Sequence, residues 1–174
     1  MNSSLPVEKK RRPIRSFVIR NRPWTKQQQQ AFNEQGKRYL WQPQAAQSAD
    51  TPSRLELQTL YPEQKPLVIE IGFGMGDSLI AELQANDQFN YFGIEVHQPG
   101  VSRVMKAADE MQIKNIRLAM HDAVSVLKQL IDAQADKIQI FFPDPWPKAR
   151  HHKRRLISPA FIELLLKKLK PNTC

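Results

Sequence analysis

The chain has 174 residues, of which 41% are hydrophobic, which is enough to bury one core and predicts one domain with a tail. It contains no apolar run of roughly 18 to 20 residues and no signal-peptide apolar core, which excludes a membrane-spanning helix and predicts a cytoplasmic protein. Its single cysteine, Cys174, excludes internal disulfides and cysteine-based zinc sites, while a formal net charge of +9 favours a polyanionic partner such as nucleic acid.

The N-terminal third differs in composition from the rest of the chain. Residues 1–65 are rich in Gln, Pro and charge, and they are predicted to form a basic N-terminal arm that is disordered up to about residue 13. Only residues 25–40 have a helical pattern. Residues 66–174 are predicted to form the second unit. The basic residues lie in two patches, one in the arm and one over 148–155, although a generally solvated basic surface is the alternative interpretation.

From Leu67 onward, short apolar runs alternate with helical segments. Strands are predicted over 67–71, 91–95, 115–120 and 137–142, and helices from about 77 and over 98–111, 123–131 and 158–169. Repeated strand–helix units predict an α/β, Rossmann-like fold with a parallel sheet and helices on both faces. We therefore expect the ligand site at the carboxyl ends of the strands.

A glycine loop follows the first predicted strand. Gly72, Gly74 and Gly76 form a G-x-G-x-G pattern, which departs from the G-x-G-x-x-G dinucleotide fingerprint, and Glu70 stands two residues before the first glycine. A carboxylate there would repel a pyrophosphate, but it suits S-adenosylmethionine, which carries an ammonium and a sulfonium and no phosphate. Glu70 and Gly72 are thus candidate cofactor residues. A capping or solvated role is the alternative for Glu70.

Two further acids follow predicted strands. Glu95 lies 19 residues beyond Gly76, a spacing typical of an acid that accepts hydrogen bonds from the ribose hydroxyls of an adenosine. Asp122 follows the third strand, where it could accept a hydrogen bond from the adenine amino group or cap the next helix. His97 and His121 lack partners at metal-ligand spacing, so we predict no metal site.

The fourth predicted strand runs into a proline-rich loop. Pro143 and Pro145 flank Asp144, so a stiff loop presents this carboxylate at the ligand edge of the sheet and favours a positioning role. Trp146 could stack on a base or cover the core. The basic run that follows is predicted to contact the phosphates of a nucleic acid substrate. Its members are Lys148, Arg150, His151, His152, Lys153, Arg154 and Arg155.

The chain resembles the bacterial tRNA (guanine-N7)-methyltransferase family, which modifies guanine 46 in the tRNA variable loop. The resemblance extends from Arg15 to about Pro171 and is carried by residues 15–20, 70–76, 93–97, 121–124 and, most distinctively, Phe-Phe-Pro-Asp-Pro-Trp-Pro-Lys-Ala-Arg-His-His-Lys-Arg-Arg-Leu at 141–156. It implies that S-adenosylmethionine is bound by Glu70, Glu95, Asp122 and Asp144. It also implies that Asp144 is catalytic, that Lys148 contacts substrate and that residues 150–155 contact RNA.

Members of this family continue after the helix at 158–169 with three more strands and a Thr-x-x-Glu segment. The sheet of this chain is therefore expected to be truncated after the fourth strand and its following helix. We expect a monomer that could associate through the exposed edge of that strand. The principal alternative is a catalytically inactive, truncated tRNA-binding fragment. A nicotinamide-dependent oxidoreductase is disfavoured by the glycine spacing and by Glu70.

Overall fold

The computed structural model describes residues 23–42, 54–141, 143 and 155–171. Within these ranges, strands and helices alternate from Leu67 onward. In chain order the elements are α1 (Lys26–Tyr39), β1 (Leu40–Trp41), a 3-10 turn (Leu57–Leu60), β2 (Leu67–Ile71), α2 (Asp77–Ala85), β3 (Asn90–Ile94), α3 (Gln98–Glu110), β4 (Ile116–Ala119), α4 (Ala123–Gln129), β5 (Lys137–Ile140) and α5 (Pro159–Lys168).

The five strands form one parallel sheet in the order β1-β4-β3-β2-β5. This confirms the predicted α/β, Rossmann-like fold. The four predicted strands are all present, but the last one ends at Ile140, before Phe141 and the proline loop. The helix predicted over 123–131 ends at Gln129, because Leu130 is extended and forms a bridge with Leu55.

Side chains alternate between the two faces of the sheet, and each face is covered. On one face, Ile69, Ile71 and Phe92 pack against α4, α5 and the segment 55–61. On the other, Val68 and Tyr91 pack against α1, α2 and α3. Because successive side chains of a strand point to opposite faces, each buried strand contributes to both clusters, and the helices lie on both faces as predicted.

The first described helix is joined directly to the sheet. Thr25 and Gln28 form a reciprocal capping box that begins α1, which buries Phe32 and Tyr39 against the α3 side. The chain then enters β1, where Leu40 and its neighbour pair with β4. The sequence did not predict β1, because two residues are too few to show strand alternation. Residues 26–41 thus pack on the same sheet as the strands β2 to β5.

The strand β5 pairs with β2 and with no other strand in the described part of the chain. It is therefore an edge strand, as expected from the sequence. The end of α5 lies beside the residue pair that precedes β5. The N–H of Ala135 donates to the carbonyl of Lys168. None of the described helices combines the length and the apolar character needed to cross a membrane.

Candidate functional site

The glycine loop after β2 adopts a backbone that ordinary residues rarely take. Gly72 and Gly74 have φ angles of +76° and +58°. A Cβ atom at either position would meet no atom of the described residues within 4 Å, so the backbone conformation is what calls for glycine here. As far as the described residues show, the space above both glycines is open, which allows a ligand to approach the backbone closely.

The glycine loop contacts β3 and α3. The N–H of Gly72 donates to the carbonyl of Ile94 at 2.8 Å. At the start of α3, a Cβ atom on Gly100 would lie 1.7 Å from the carbonyl oxygen of Gly74, so this helix approaches the loop as closely as a backbone can. The glycine loop is therefore in direct contact with both β3 and the start of α3.

Glu95, directly after β3, is 9% exposed, and its carboxylate is bound by three backbone N–H groups. Oε2 accepts from Gly74 at 2.7 Å, while Oε1 accepts from Val96 at 2.6 Å and His97 at 2.9 Å. Glu95 thereby fixes the glycine loop relative to the turn that leads into α3. Its predicted contact with a ribose stays a prediction.

Glu70 lies inside β2 and is only 2% exposed. Burial, with a smaller effect from the nearby charge of Glu82, raises the pKa of its carboxyl to about 7, and Lys137 acts in the opposite direction. The solvated role considered from the sequence does not apply, because the side chain is buried. A buried carboxyl at the ligand edge of a sheet can hold a cationic group.

Asp122 performs the capping role that the sequence offered as one alternative. Its Oδ2 accepts hydrogen bonds from the N–H of Ser125 at 2.9 Å and from the Ser125 hydroxyl at 2.8 Å, at the start of α4. Among the described residues, no hydrogen bond to the second oxygen, Oδ1, is formed. Asp122 therefore keeps one carboxylate oxygen available at the ligand edge.

Arg103 is a residue of this site that the sequence did not identify. From α3 it donates to the carbonyl of Met75 in the glycine loop at 3.1 Å and pairs with Asp77, the first residue of α2, at 2.6 Å. The Arg103 guanidinium lowers the pKa of the Asp77 carboxyl. No local pattern in the sequence could have revealed this contact, because the two segments are more than 20 residues apart.

The structure brings four predicted cofactor residues to one edge. Glu70, Gly72, Glu95 and Asp122 all lie at the carboxyl ends of the adjacent strands β2, β3 and β4. Asp144, Lys148 and residues 150–154 lie outside the described residues. Arg155 is described and is exposed, as are His97 and His121. In the described ranges no group of His, Cys, Asp or Glu side chains is arranged to hold a metal ion.

Comparison with known proteins gives a family and several relatives. A family model described as "Putative methyltransferase" matches residues 64–174. A "tRNA (guanine-N(7)-)-methyltransferase" from Edwardsiella ictaluri is 47% identical over 160 residues, which cover 91% of this chain and 64% of that protein. One of the same name from Methylobacillus flagellatus is 47% identical over 166 residues, covering 92% of this chain and 65% of that protein. The chain thus spans slightly less than two thirds of the length of these relatives.

Solved structures with similar folds are more distant in sequence. A 30S ribosomal A1408 methyltransferase from an uncultured bacterium matches with a TM-score of 0.45 and 17% identity, covering 67% of this chain and 53% of that chain. A spermidine synthase from Thermotoga maritima matches with a TM-score of 0.45 and 19% identity, covering 61% of this chain and 35% of that chain.

Proposed function

The chain belongs to the family described as "Putative methyltransferase", and we propose that it transfers a methyl group from S-adenosylmethionine to N7 of a guanine in tRNA, at position 46 of the variable loop. The resemblance of its motifs to the bacterial tRNA (guanine-N7)-methyltransferases supports this substrate, as do relatives of that name at 47% identity. Because the chain spans less than two thirds of their length, the proposal also draws on the site itself.

One observation carries the proposal: a buried acid stands beside an open glycine loop. Glu70 is 2% exposed, and no described residue occupies the space above Gly72 and Gly74. A ligand that approaches this loop must tolerate a carboxylate, which disfavours a pyrophosphate and favours a cationic group. S-adenosylmethionine fits these residues, because its ammonium and sulfonium are cationic and it carries no phosphate. When bound, it supplies an electrophilic methyl group.

The remaining acids complete the proposed cofactor site. A carboxylate offers about four acceptor positions, and three N–H groups already bind Glu95. One position is therefore left for a ribose hydroxyl. Asp122 has its Oδ1 available for the adenine amino group while Oδ2 caps α4. The acids thus combine a structural role with the proposed binding role.

Guanine N7 presents an in-plane lone pair at neutral pH, so methylation there requires no base to remove a proton. Alignment of N7 with the methyl group is the main requirement. We assign this to Asp144, which stands between Pro143 and Pro145 and whose negative charge would stabilise the cationic guanine that forms. Lys148, Arg150, His151, His152, Lys153, Arg154 and Arg155 are assigned to RNA binding.

The proposal is tested by incubating the chain with S-adenosylmethionine and unmodified tRNA. We expect 7-methylguanine at one variable-loop position, detected by strand cleavage with borohydride and aniline. Asp144→Ala should abolish methylation and leave tRNA affinity largely intact, because the basic run remains. Asp87→Ala is the matched control, since Asp87 precedes β3 at the opposite edge of the sheet.

Absence of cleavage, both with this chain and with a version extended by the C-terminal third of a relative, would contradict the assignment. Full activity in Asp144→Ala would remove Asp144 from the mechanism. If tRNA shifts in a gel while calorimetry detects no heat on addition of S-adenosylmethionine, the chain is an RNA-binding protein without a competent cofactor site.

A further inference from the structure

Gln139 is a buried polar residue between two isoleucines of β5, and it lies beside Glu70. The two residues are register partners of the parallel strands β5 and β2, which are about 4.8 Å apart in such a sheet. Ile138 and Ile140, the neighbours of Gln139, pack against the cluster that contains α4 and α5. Because side chains alternate along a strand, Gln139 and Glu70 share the opposite face.

Both side chains are buried, and the Gln139 amide oxygen has no hydrogen-bond donor among the described residues. Gln139 is 7% exposed, and its Oε1 forms no hydrogen bond within the part of the chain that the structure describes. An unmet buried acceptor costs free energy, so such an atom in a native fold calls for an explanation. Lys137 lies on the same face, but it is exposed at the start of β5, and no ion pair joins it to Glu70 among the described residues.

Resting on the proposed function, we propose that Gln139 and Glu70 together bind the ammonium group of S-adenosylmethionine. An ammonium has three N–H donors and a positive charge. The amide Oε1 of Gln139 would accept one hydrogen bond and the Glu70 carboxylate another, so the pair suits the charge and the donors of this group. Glu70 stands two residues before Gly72, which places the pair next to the open glycine loop.

The test compares three ligands that differ at this group. S-adenosylmethionine and S-adenosylhomocysteine carry the ammonium, while 5′-methylthioadenosine has the adenosine but no amino acid part. Titration calorimetry of Gln139→Leu should show binding of the first two weakened by about 10-fold, a loss typical of one hydrogen bond to a charged group. Binding of 5′-methylthioadenosine should be unchanged.

Gln129→Leu is the matched control. It is the same substitution on α4, where the Gln129 side chain donates to the Ser125 carbonyl, and it should leave all three affinities unchanged. Thermal unfolding of both variants checks that they are folded. If Gln139→Leu does not unfold cooperatively, Gln139→Met, which preserves the length of the side chain, takes its place.

Equal weakening of all three ligands would overturn the inference, because Gln139 would then support the fold of the site and not recognise the ammonium. Unchanged affinities would overturn it as well. If the unmodified chain binds neither S-adenosylmethionine nor S-adenosylhomocysteine, the proposed function fails together with the inference. If the unmodified chain binds both ligands normally, a negative result with the variant contradicts only the role of Gln139 and leaves the proposed function intact.

Discussion

Glu70 combines burial with a charge that the proposed ligand would neutralise. With 2% of its surface exposed, the ionised carboxyl loses most of its hydration, and burial raises its pKa from 4.5 to about 7. Glu82 on α2 adds repulsion, Lys137 on β5 attracts, and Tyr91 on β3 contributes a neutral hydroxyl nearby. The ligand-free fold therefore favours the protonated acid at pH values below about 7.

Glu70 should make its own contribution to the pH dependence of the free energy of unfolding. Between pH 4.5 and about 7, the native state keeps the Glu70 proton while the unfolded state releases it. Because the native state binds more protons, stability falls as pH rises through this window and levels off above it. The effect is at most about 3 kcal/mol, since one pKa unit corresponds to about 1.4 kcal/mol.

Glu70→Gln should remove that dependence, so the variant gains stability relative to the unmodified chain as pH rises. Urea unfolding at a series of pH values from about 5 to 8 measures the difference between the two proteins. Glu110→Gln, which changes an exposed acid on α3, should follow the unmodified chain at every pH. Parallel curves for Glu70→Gln and the unmodified chain would show that Glu70 titrates normally.

Single residues also show how far the sequence predicts the site. The positions of Glu70, Glu95 and Asp122 follow from strand ends, and strand ends follow from alternation and glycine spacing. The hydrogen-bond partners of Glu95 and the proposed role of Gln139 cannot be predicted in this way, because they depend on which segments are neighbours in the fold. Gln139 could have been noticed as a polar residue between Ile138 and Ile140, but the sequence alone does not place it beside Glu70.

At the level of elements, the glycine loop depends on α3 for its position. Gly100 brings the start of the helix against Gly74, and Arg103, one turn further on, contacts the Met75 carbonyl and the Asp77 carboxylate. Arg103 thereby joins the loop, the start of α2 and α3. We infer that it is a positioning residue, which acts on the cofactor through the shape of the loop.

Arg103→Met should weaken binding of S-adenosylmethionine several-fold, because the loop gains freedom that binding must then remove. Global stability should change little, since the ion pair is exposed. Titration calorimetry and urea unfolding measure the two effects separately. Arg103→Lys, which preserves the charge but loses the two-pronged contact, should have an intermediate affinity.

The control is Lys106→Met on the same helix, where the lysine pairs with Glu110 away from the loop. It should bind S-adenosylmethionine normally. Equal affinities for Arg103→Met and the unmodified chain would exclude a positioning role for Arg103. An equal loss in Lys106→Met would instead indicate that the charge of α3, and not the contact, controls binding.

The elements themselves were predicted unevenly. The strands β2 to β5 and the helices α2 to α5 follow from apolar periodicity over several residues, and their bounds differ by only a few residues from prediction. The strand β1 and the 3-10 turn at 57–60 are too short to produce a pattern. Their positions depend on contacts with β4 and with Leu130 and Gln134, which only the folded chain brings near.

For the molecule as a whole, the acids of the proposed cofactor site are separated along the chain from the two runs that are richest in basic residues. The acids of the proposed cofactor site lie on β2, at the end of β3 and at the start of α4, whereas the basic runs lie at 9–26 and 148–155. The second run follows β5 in the sequence, and β5 itself ends at the same edge of the sheet as these acids. This arrangement suits a protein that binds a small cation in a pocket and a polyanion beside it.

A double substitution, Arg154→Ala with Arg155→Ala, should weaken tRNA binding and reduce its dependence on salt. Each phosphate contact releases about one counterion, so the slope of the logarithm of the binding constant against the logarithm of salt concentration should fall by up to about two. Filter binding at several salt concentrations measures the slope. Affinity for S-adenosylmethionine should be unchanged, because neither arginine is part of the proposed cofactor site.

Lys114→Ala with Lys128→Ala removes the same charge from the opposite edge of the sheet, since Lys114 precedes β4 and Lys128 lies in the last turn of α4. If the net charge alone attracts tRNA, both double variants lose affinity and slope equally. If the run after β5 contacts phosphates, only the arginine variant loses slope. The salt dependence therefore separates a local RNA contact from the general attraction of a chain with a net charge of +9.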